Sequence, residues 1–354
     1  MTEYLTHMGD GSRAWMTREQ IRNEIQDGMD DAVICSEVPD LTSDEMEHIC
    51  EIICNKNRVV GVETGKEVIM SEDFGSNAWG IDSGTCGVGV EVGRREGTLI
   101  FEKGFSMDIF ELGHIDYSIK PVKPLIAHEM QTMEQLQMLS TIPMMYGAMP
   151  NMGLYYKPDG PYGNPADLMR ELKIEEAMEA AESAAERLER DIEFVSVKMQ
   201  EAGADGFNFD TTASAGDADF VGTLKGVERL KEARPEAGVL VGMSGENIMG
   251  IHGSIEYNGT VVAGMYPHQQ VKLAEEAGAT IFGPVVNTNT SKSLAWNIAR
   301  AVTMIKECAN VSNLPLHPNM GMGVCGIPMT ETPPIEAVTR ANKAMIEIAK
   351  VDGV

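Results

Sequence analysis

The chain has 354 residues, with 54 Asp and Glu against 28 Lys and Arg and a formal net charge of −26. That length and apolar content suffice for one large domain or two ordinary ones with a true core, whereas so acidic a surface argues against nucleic acid and membrane as partners. No run of 18 apolar residues occurs and the opening MTEYLTHMGDGSRAWMTREQ lacks the apolar core of a signal peptide, so the sequence points to the cytoplasm.

The acidic excess also suits a salt-rich interior. Six cysteines, at positions 35, 50, 54, 86, 308 and 325, follow no regular spacing, as expected of reduced thiols. The 25 methionines outnumber the 9 Phe, 3 Trp and 8 Tyr together. Such a thioether load fits an oxygen-poor setting, with flexible core filling as an equal explanation.

Before residue 140 the pattern is weak, with residues 59–62 (VVGV) and 98–101 (TLIF) as candidate strands. The division expected is therefore an N-terminal region over 1–139, with helices and first strands, and βα units over 140–354. In that second part, apolar runs end in polar residues and lead into amphipathic helices: IPMMYGAMP (142–150), GFNFDTT (206–212), GVLVGMSGE (238–246), TIFGPVVNT (280–288) and LPLHPNMG (314–321). Asn164 as N-cap and Pro165 at the first helical position predict one long helix. Its apolar face runs through Ile174, Met178, Ala181, Ala185, Leu188, Ile192, Val195 and Met199 and closes at Gly203. Shorter helices are expected at about 217–234, 268–278, 290–310 and 334–349, and VDGV (351–354) reads as the start of another strand.

Consecutive βα units demand a parallel sheet, either open and doubly wound or closed into a barrel. The strand count favours an α/β (βα)8 TIM-type barrel, incomplete at its C-terminal end. GMGVCG (321–326) matches G-x-G-x-x-G after a strand, but Pro328, Pro333 and Pro334 intervene where a dinucleotide fold needs a helix at once. GVETGKE (61–67) and HEMQT (128–132) fall short of a P-loop and of a zinc-protease helix. His48, Cys50 and Cys54 lack the matched second pair of a zinc site, so buried thiols are expected there.

The strand ends are the richest chemistry, because catalytic groups of a βα barrel sit there. They carry Tyr146 and Asn151, Asp210, Glu246, Asn287 and Asn289, and His317 and Asn319. Asp210 and Glu246 are the catalytic candidates, able to hold or deprotonate a cationic amine, and the other six are candidate substrate-binding groups. The competing role, capping helices and satisfying loop amides, is expected of Thr290 and Ser291. PHQQ (267–270) reads equally as a helix start or a site wall.

The stretches FELGHIDYSIKPVKP, IPMMYGAMPNMGLYYKPDGP, GADGFNFDTT, AGMYPHQQ, GPVVNTNTSKSLAWNIARAVT and GMGVCGIPMTETPPIEAVTRANKAM resemble the dimethylamine–corrinoid protein co-methyltransferases of methylotrophic methanogens, along essentially the whole chain. The resemblance implies a (βα)8 barrel and methyl transfer from dimethylamine to the Co(I) corrinoid of a separate cognate protein. It also implies a pyrrolysine, read from an in-frame amber codon after a segment like VDGV, whose electrophilic imine takes up the amine. On that reading these residues are the part encoded before the amber codon, inactive alone, with an open sheet edge prone to aggregation. No metal or directly bound cofactor is expected. Asp-x-His-x-x-Gly, the usual source of a lower axial ligand to cobalt, is absent, since His114, His252 and His268 follow Leu112, Gly250 and Tyr266 at the Asp position. The amine is the small-molecule partner, and a homo-oligomer is left open. Two rivals are a nicotinamide-dependent oxidoreductase using Gly321 to Gly326 and a noncatalytic module that docks the corrinoid protein.

Overall fold

The computed structural model describes residues 2–73, 109–112, 122–251 and 253–354. The chain forms two compact units, one of Met1–Ile69, Tyr266–Lys272 and Phe282–Val354, the other of Met70–Met265 and Leu273–Ile281. They interleave along the sequence.

The first unit opens with an antiparallel hairpin, β1 (Glu3–His7) and β2 (Arg13–Thr17). Thr17 then caps α1 (Arg18–Ser36) through a capping box with Gln20, and Thr42 caps α2 (Ser43–Ile53) in the same way with Glu45. Later in the chain come a helix at Leu294–Val311, buried on nearly every side, and another at Ile335–Ala344 that runs into a π-helical turn, Met345–Ala349. Gly28 lets α1 lie against the Leu294–Val311 helix, since a Cβ there would overlap the Trp296 carbonyl.

The strand expected at 59–62 is a loop. Its neighbourhood is held instead by the Ile335–Ala344 helix: Arg340 donates to the carbonyls of Asn55, Asn57 and Arg58, and Lys343 to that of Gly61. Strand pairing passes on to Ile69. In this unit Phe282 pairs in parallel with Leu316, the Leu316 carbonyl accepts from Asp352 and Gly353, and Ile69 pairs in parallel with Gly353. The Asp352 carbonyl accepts from Ile69 at 3.2 Å and Val354 donates to the Ile69 carbonyl at 2.9 Å. Residues 352–354 are thus bonded both to Leu316 and to Ile69.

The second unit holds parallel strands β3 (Ser71–Asp73), β4 (Ile109–Leu112), β5 (Met144–Ala148), β6 (Gly206–Thr212) and β7 (Gly238–Met243), each beside the next. On the side of β7 away from β6, Thr280 donates to the Val239 carbonyl at 2.8 Å. TLIF, 98–101, lies outside the described residues. The fold is mixed α/β around a parallel sheet. The helices that cross between its strands are α3 (Val122–Leu139), α4 (Pro165–Arg170), α5 (Ile174–Glu201) and α6 (Asp217–Ala233).

The single long helix expected from residue 165 is two. Asn164 and Pro165 do start a helix, but it stops at Arg170, and Leu172 takes a left-handed φ of 60° before α5 begins. The apolar face falls as expected from Ala181 through Leu188 and Ile192 to Met199, and Gly203, at φ 107°, follows its end. No helix among the described residues is long and apolar enough to cross a membrane.

Candidate functional site

The β6 segment GFNFDTT sorts its side chains by alternation. Phe207 and Phe209 stack on one face, ring centroids 6.1 Å apart, both fully buried. Asn208 and Asp210 fall on the other. Gly242 of β7 leaves room for both: a Cβ there would lie 3.0 Å from Asp210 Oδ1 and 3.4 Å from Asn208 Oδ1. The carboxylate and amide therefore stand side by side over a glycine. Asn208 is a site residue that the sequence reading passed over, although its period-2 relation to Asp210 was there to be used.

Past Asp210 the backbone is strained. The ladder to β7 shifts register between Phe209 and Thr212, and Thr211 and Ala213 have φ of 56° and 65°. For a β-branched residue such as Thr211 this is an unfavourable conformation, held only because its surroundings over-determine it. The Thr211 N–H donates to Asp210 Oδ1 at 2.7 Å, while Thr212, fully buried, donates its hydroxyl to the Gly242 carbonyl at 2.7 Å. The kink thereby aims Asp210.

Two further carboxylates lie behind that loop, at the head of α6. Asp219 accepts from Ser214 Oγ at 3.2 Å and from the Ala215 N–H at 3.0 Å, and burial raises its pKa to about 7. Asp217 accepts from the Ala218 N–H at 2.9 Å, and burial raises it too. Asp217 Oδ2 and Asp219 Oδ1 have no hydrogen-bond partner among the described residues. Burial, with these two carboxylates nearby, also pushes the Tyr156 phenol up. Both stand in the first turn of their helix, where acids are common and ordinarily exposed.

Of the other candidates in this unit, Tyr146 is buried in β5 and Glu246 is half-buried in the bend after β7. Asn151 caps a 3-10 turn, accepting from the Gly153 N–H at 3.0 Å. In the first unit, Asn287 is exposed and pairs with Val324. Asn289 accepts from the N–H and hydroxyl of Ser291 at 3.0 and 2.8 Å, so it shapes its own turn. His317 packs against Gly353, where a Cβ would lie 2.5 Å from the imidazole Cδ2, and burial lowers its pKa, favouring the neutral ring. Asn319 is exposed beside Gly321.

Gly326 does not open a helix, for the next begins at Ile335, and a Cβ on Gly326 would crowd Ile298. Pro267 and His268 start a helix. His48 bonds Glu347 at 2.7 Å, and Cys50 and Cys54 are buried with their sulfurs 3.9 Å apart. Among the described residues no three His, Cys, Asp or Glu side chains converge as a metal cage.

A parallel sheet of α/β units with carboxylates and amides at its strand ends is an architecture of small-molecule enzymes. The family model for dimethylamine methyltransferase matches residues 2–354, and the chain belongs to that family. Among solved structures, the carboxyl transferase domain of Rhizobium etli pyruvate carboxylase, with 3-bromopyruvate, is similar at 12% identity and a TM-score of 0.37. The match covers 96% of this chain and 50% of that one, so the chain spans about half that structure's length.

Proposed function

We propose that the protein takes a methyl group from dimethylamine and delivers it to the Co(I) corrinoid of a separate protein, in methanogenesis from methylamines, on a (βα)8 barrel. The family match over residues 2–354 carries this reading. Breaking the C–N bond requires nitrogen to become a better leaving group, and ordinary side chains supply nucleophiles but not the needed electrophile. The reading assigns that electrophile to a pyrrolysine encoded after Val354.

The chain's own residues bind the amine and manage its proton. Asp210, aimed by the strained Thr211 and neighboured by the Asn208 amide, attracts the ammonium form and accepts its proton, which frees the nitrogen lone pair. Glu246 is the alternative base. Tyr146 and Asn151, in the same unit as Asp210, are the proposed substrate-binding groups there, and Asn287, Asn289, His317 and Asn319 are proposed as substrate-binding groups of the first unit, with His317 neutral and therefore not repelling a cation. The corrinoid arrives on its own protein, for which the net charge of −26 calls for a basic docking face.

The test uses the native enzyme and its corrinoid protein reduced to Co(I), with methyl-Co(III) followed by absorbance. Dimethylamine is expected to support turnover, and Asp210→Asn to lower it about 100-fold. Turnover unchanged in Glu246→Gln would leave Asp210 as the base. Failure of every methylated amine overturns the reading, and saturable binding of NADH instead would favour the oxidoreductase. Sequencing the codon after Val354 tests the pyrrolysine separately.

A further inference from the structure

A hollow of about 610 Å³ lies in the first unit, lined by the β1–β2 hairpin, the loop at Asn55 to Arg58 and the first turns of the helix that starts at Ile335. Four cations border it, Arg13, Lys56, Arg58 and Arg340, against two carboxylates, Glu3 and Glu336. In a chain with nearly twice as many acids as bases, this local excess runs against the rest of the surface.

Little of that positive charge is cancelled. Glu336 is shared between His7 Nε2 and Arg58 Nε, each at 3.3 Å. Arg13 and Lys56 have no ion-pair partner among the described residues. Arg340 is 5% exposed and gives its N–H groups to carbonyls alone, those of Ile53, Asn55, Asn57, Arg58 and Glu336. It fixes the loop that carries Lys56 and Arg58 while contributing its charge from beneath. Trp15 stands at the rim, 62% exposed, two residues from Arg13 on the same face of β2, and Leu5, its cross-strand partner, and Tyr4 also line the wall.

The geometry points to a binding site for a small ligand that joins a planar ring to phosphate, the chemistry of a nucleoside phosphate. The indole face supplies a stacking platform, the guanidinium groups match phosphate oxygens in fork geometry, and the volume falls in the range of small-molecule sites. A long acidic peptide would extend past the hollow along a chain of net charge −26, whereas a compact phosphate would not. The assignment stands independently of methyl transfer.

Calorimetric titration of the whole chain with ATP, and separately with adenosine and with tripolyphosphate, tests it. One ATP per chain is expected, with each half binding at least about tenfold more weakly and with affinity falling as salt rises. Trp15→Ala is expected to weaken ATP about tenfold while leaving tripolyphosphate unchanged, and Arg13→Ala or Arg58→Ala to weaken both. These surface variants should keep the parent's melting temperature. No heat with ATP, equal ATP affinity in the parent and Trp15→Ala, or tighter binding of an oligoglutamate than of ATP would each overturn the assignment.

Discussion

The two units differ in their buried charges: the second holds Asp191 with the Tyr155 hydroxyl at 2.8 Å and Arg187 at 3.3 Å, but leaves two other carboxylates uncompensated. In the first, buried ions are compensated: Arg340 is wrapped by carbonyls, Arg300 meets Asp31 at 2.6 Å, and Glu347 is held by Lys343 and His48, each at 2.7 Å, and by the Glu63 N–H at 3.1 Å. In the second, Asp217 and Asp219 are buried with one oxygen each unpartnered among the described residues and no cation against them. Compensated charge fixes a framework, whereas uncompensated charge stores free energy. The strained Thr211 and Ala213, next to the candidate base, lie in the unit that stores it. Replacing one residue from each side of this contrast is the direct way to break it.

The largest effect is expected at Arg340. Arg340→Met keeps much of the stem but leaves the carbonyls of Ile53, Asn55, Asn57 and Arg58 without their donor, at a cost of about 3 to 5 kcal/mol in urea unfolding. A loss under about 1 kcal/mol would mean that water replaces the guanidinium and that the loop is not held by it.

Asp219 is expected to respond in the other direction. Its folded pKa is raised from 3.8 to about 7, so the folded state binds the proton more tightly and loses stability as pH rises between those values. Asp219→Asn, which removes the charge but keeps the acceptor for Ala215, should stabilise the protein at pH 8 by a few kcal/mol at most and change little at pH 3. Destabilisation at pH 8 equal to that at pH 3 would show that the carboxylate is compensated after all.

Glu347 supplies the mirror case at smaller scale. Burial opposes its ionisation, but the hydrogen bonds from Lys343, His48 and the Glu63 N–H outweigh that and hold its pKa below the usual value. Its stabilisation is present above the ordinary carboxylate pKa and is lost as pH falls through the lower folded value. Glu347→Gln should cost about 1 to 2 kcal/mol at pH 7 and progressively less toward pH 3. A cost independent of pH would assign the whole effect to packing.

These contrasts also separate what the sequence discloses from what it conceals. Helices such as Asp217–Ala233, Leu294–Val311 and Ile335–Ala344 lie within a few residues of their sequence-based bounds, because caps and period are local signals. The break at Leu172 was hidden, for no Gly or Pro marks it and the apolar spacing predicted a continuous helix. The pairing of Gly353 with Ile69 was equally invisible, since it joins residues nearly a chain length apart. At the site, Asp210 was legible as a polar group ending an apolar run. The burial of Asp217 and Asp219 was not, because it depends on the tertiary surroundings of helix positions that are usually exposed.

The smallest effect is the most discriminating for the site. Thr211 adopts φ 56°, which glycine reaches without steric cost, so Thr211→Gly relieves strain of about 1 to 3 kcal/mol but gives back about 0.5 to 1 kcal/mol in unfolded-chain entropy. A net gain of about 1 kcal/mol in thermal or urea unfolding is expected, and Thr211→Ala, which keeps a Cβ at the same φ, should show none. If the strain serves to aim Asp210, the more stable glycine variant should also be the slower one in methyl transfer, because its Thr211 N–H bond to Asp210 no longer sits in a rigid kink. Stability and rate rising together would instead make the left-handed turn a residue of packing, and Asp210 would owe its position to Gly242 and Asn208 alone.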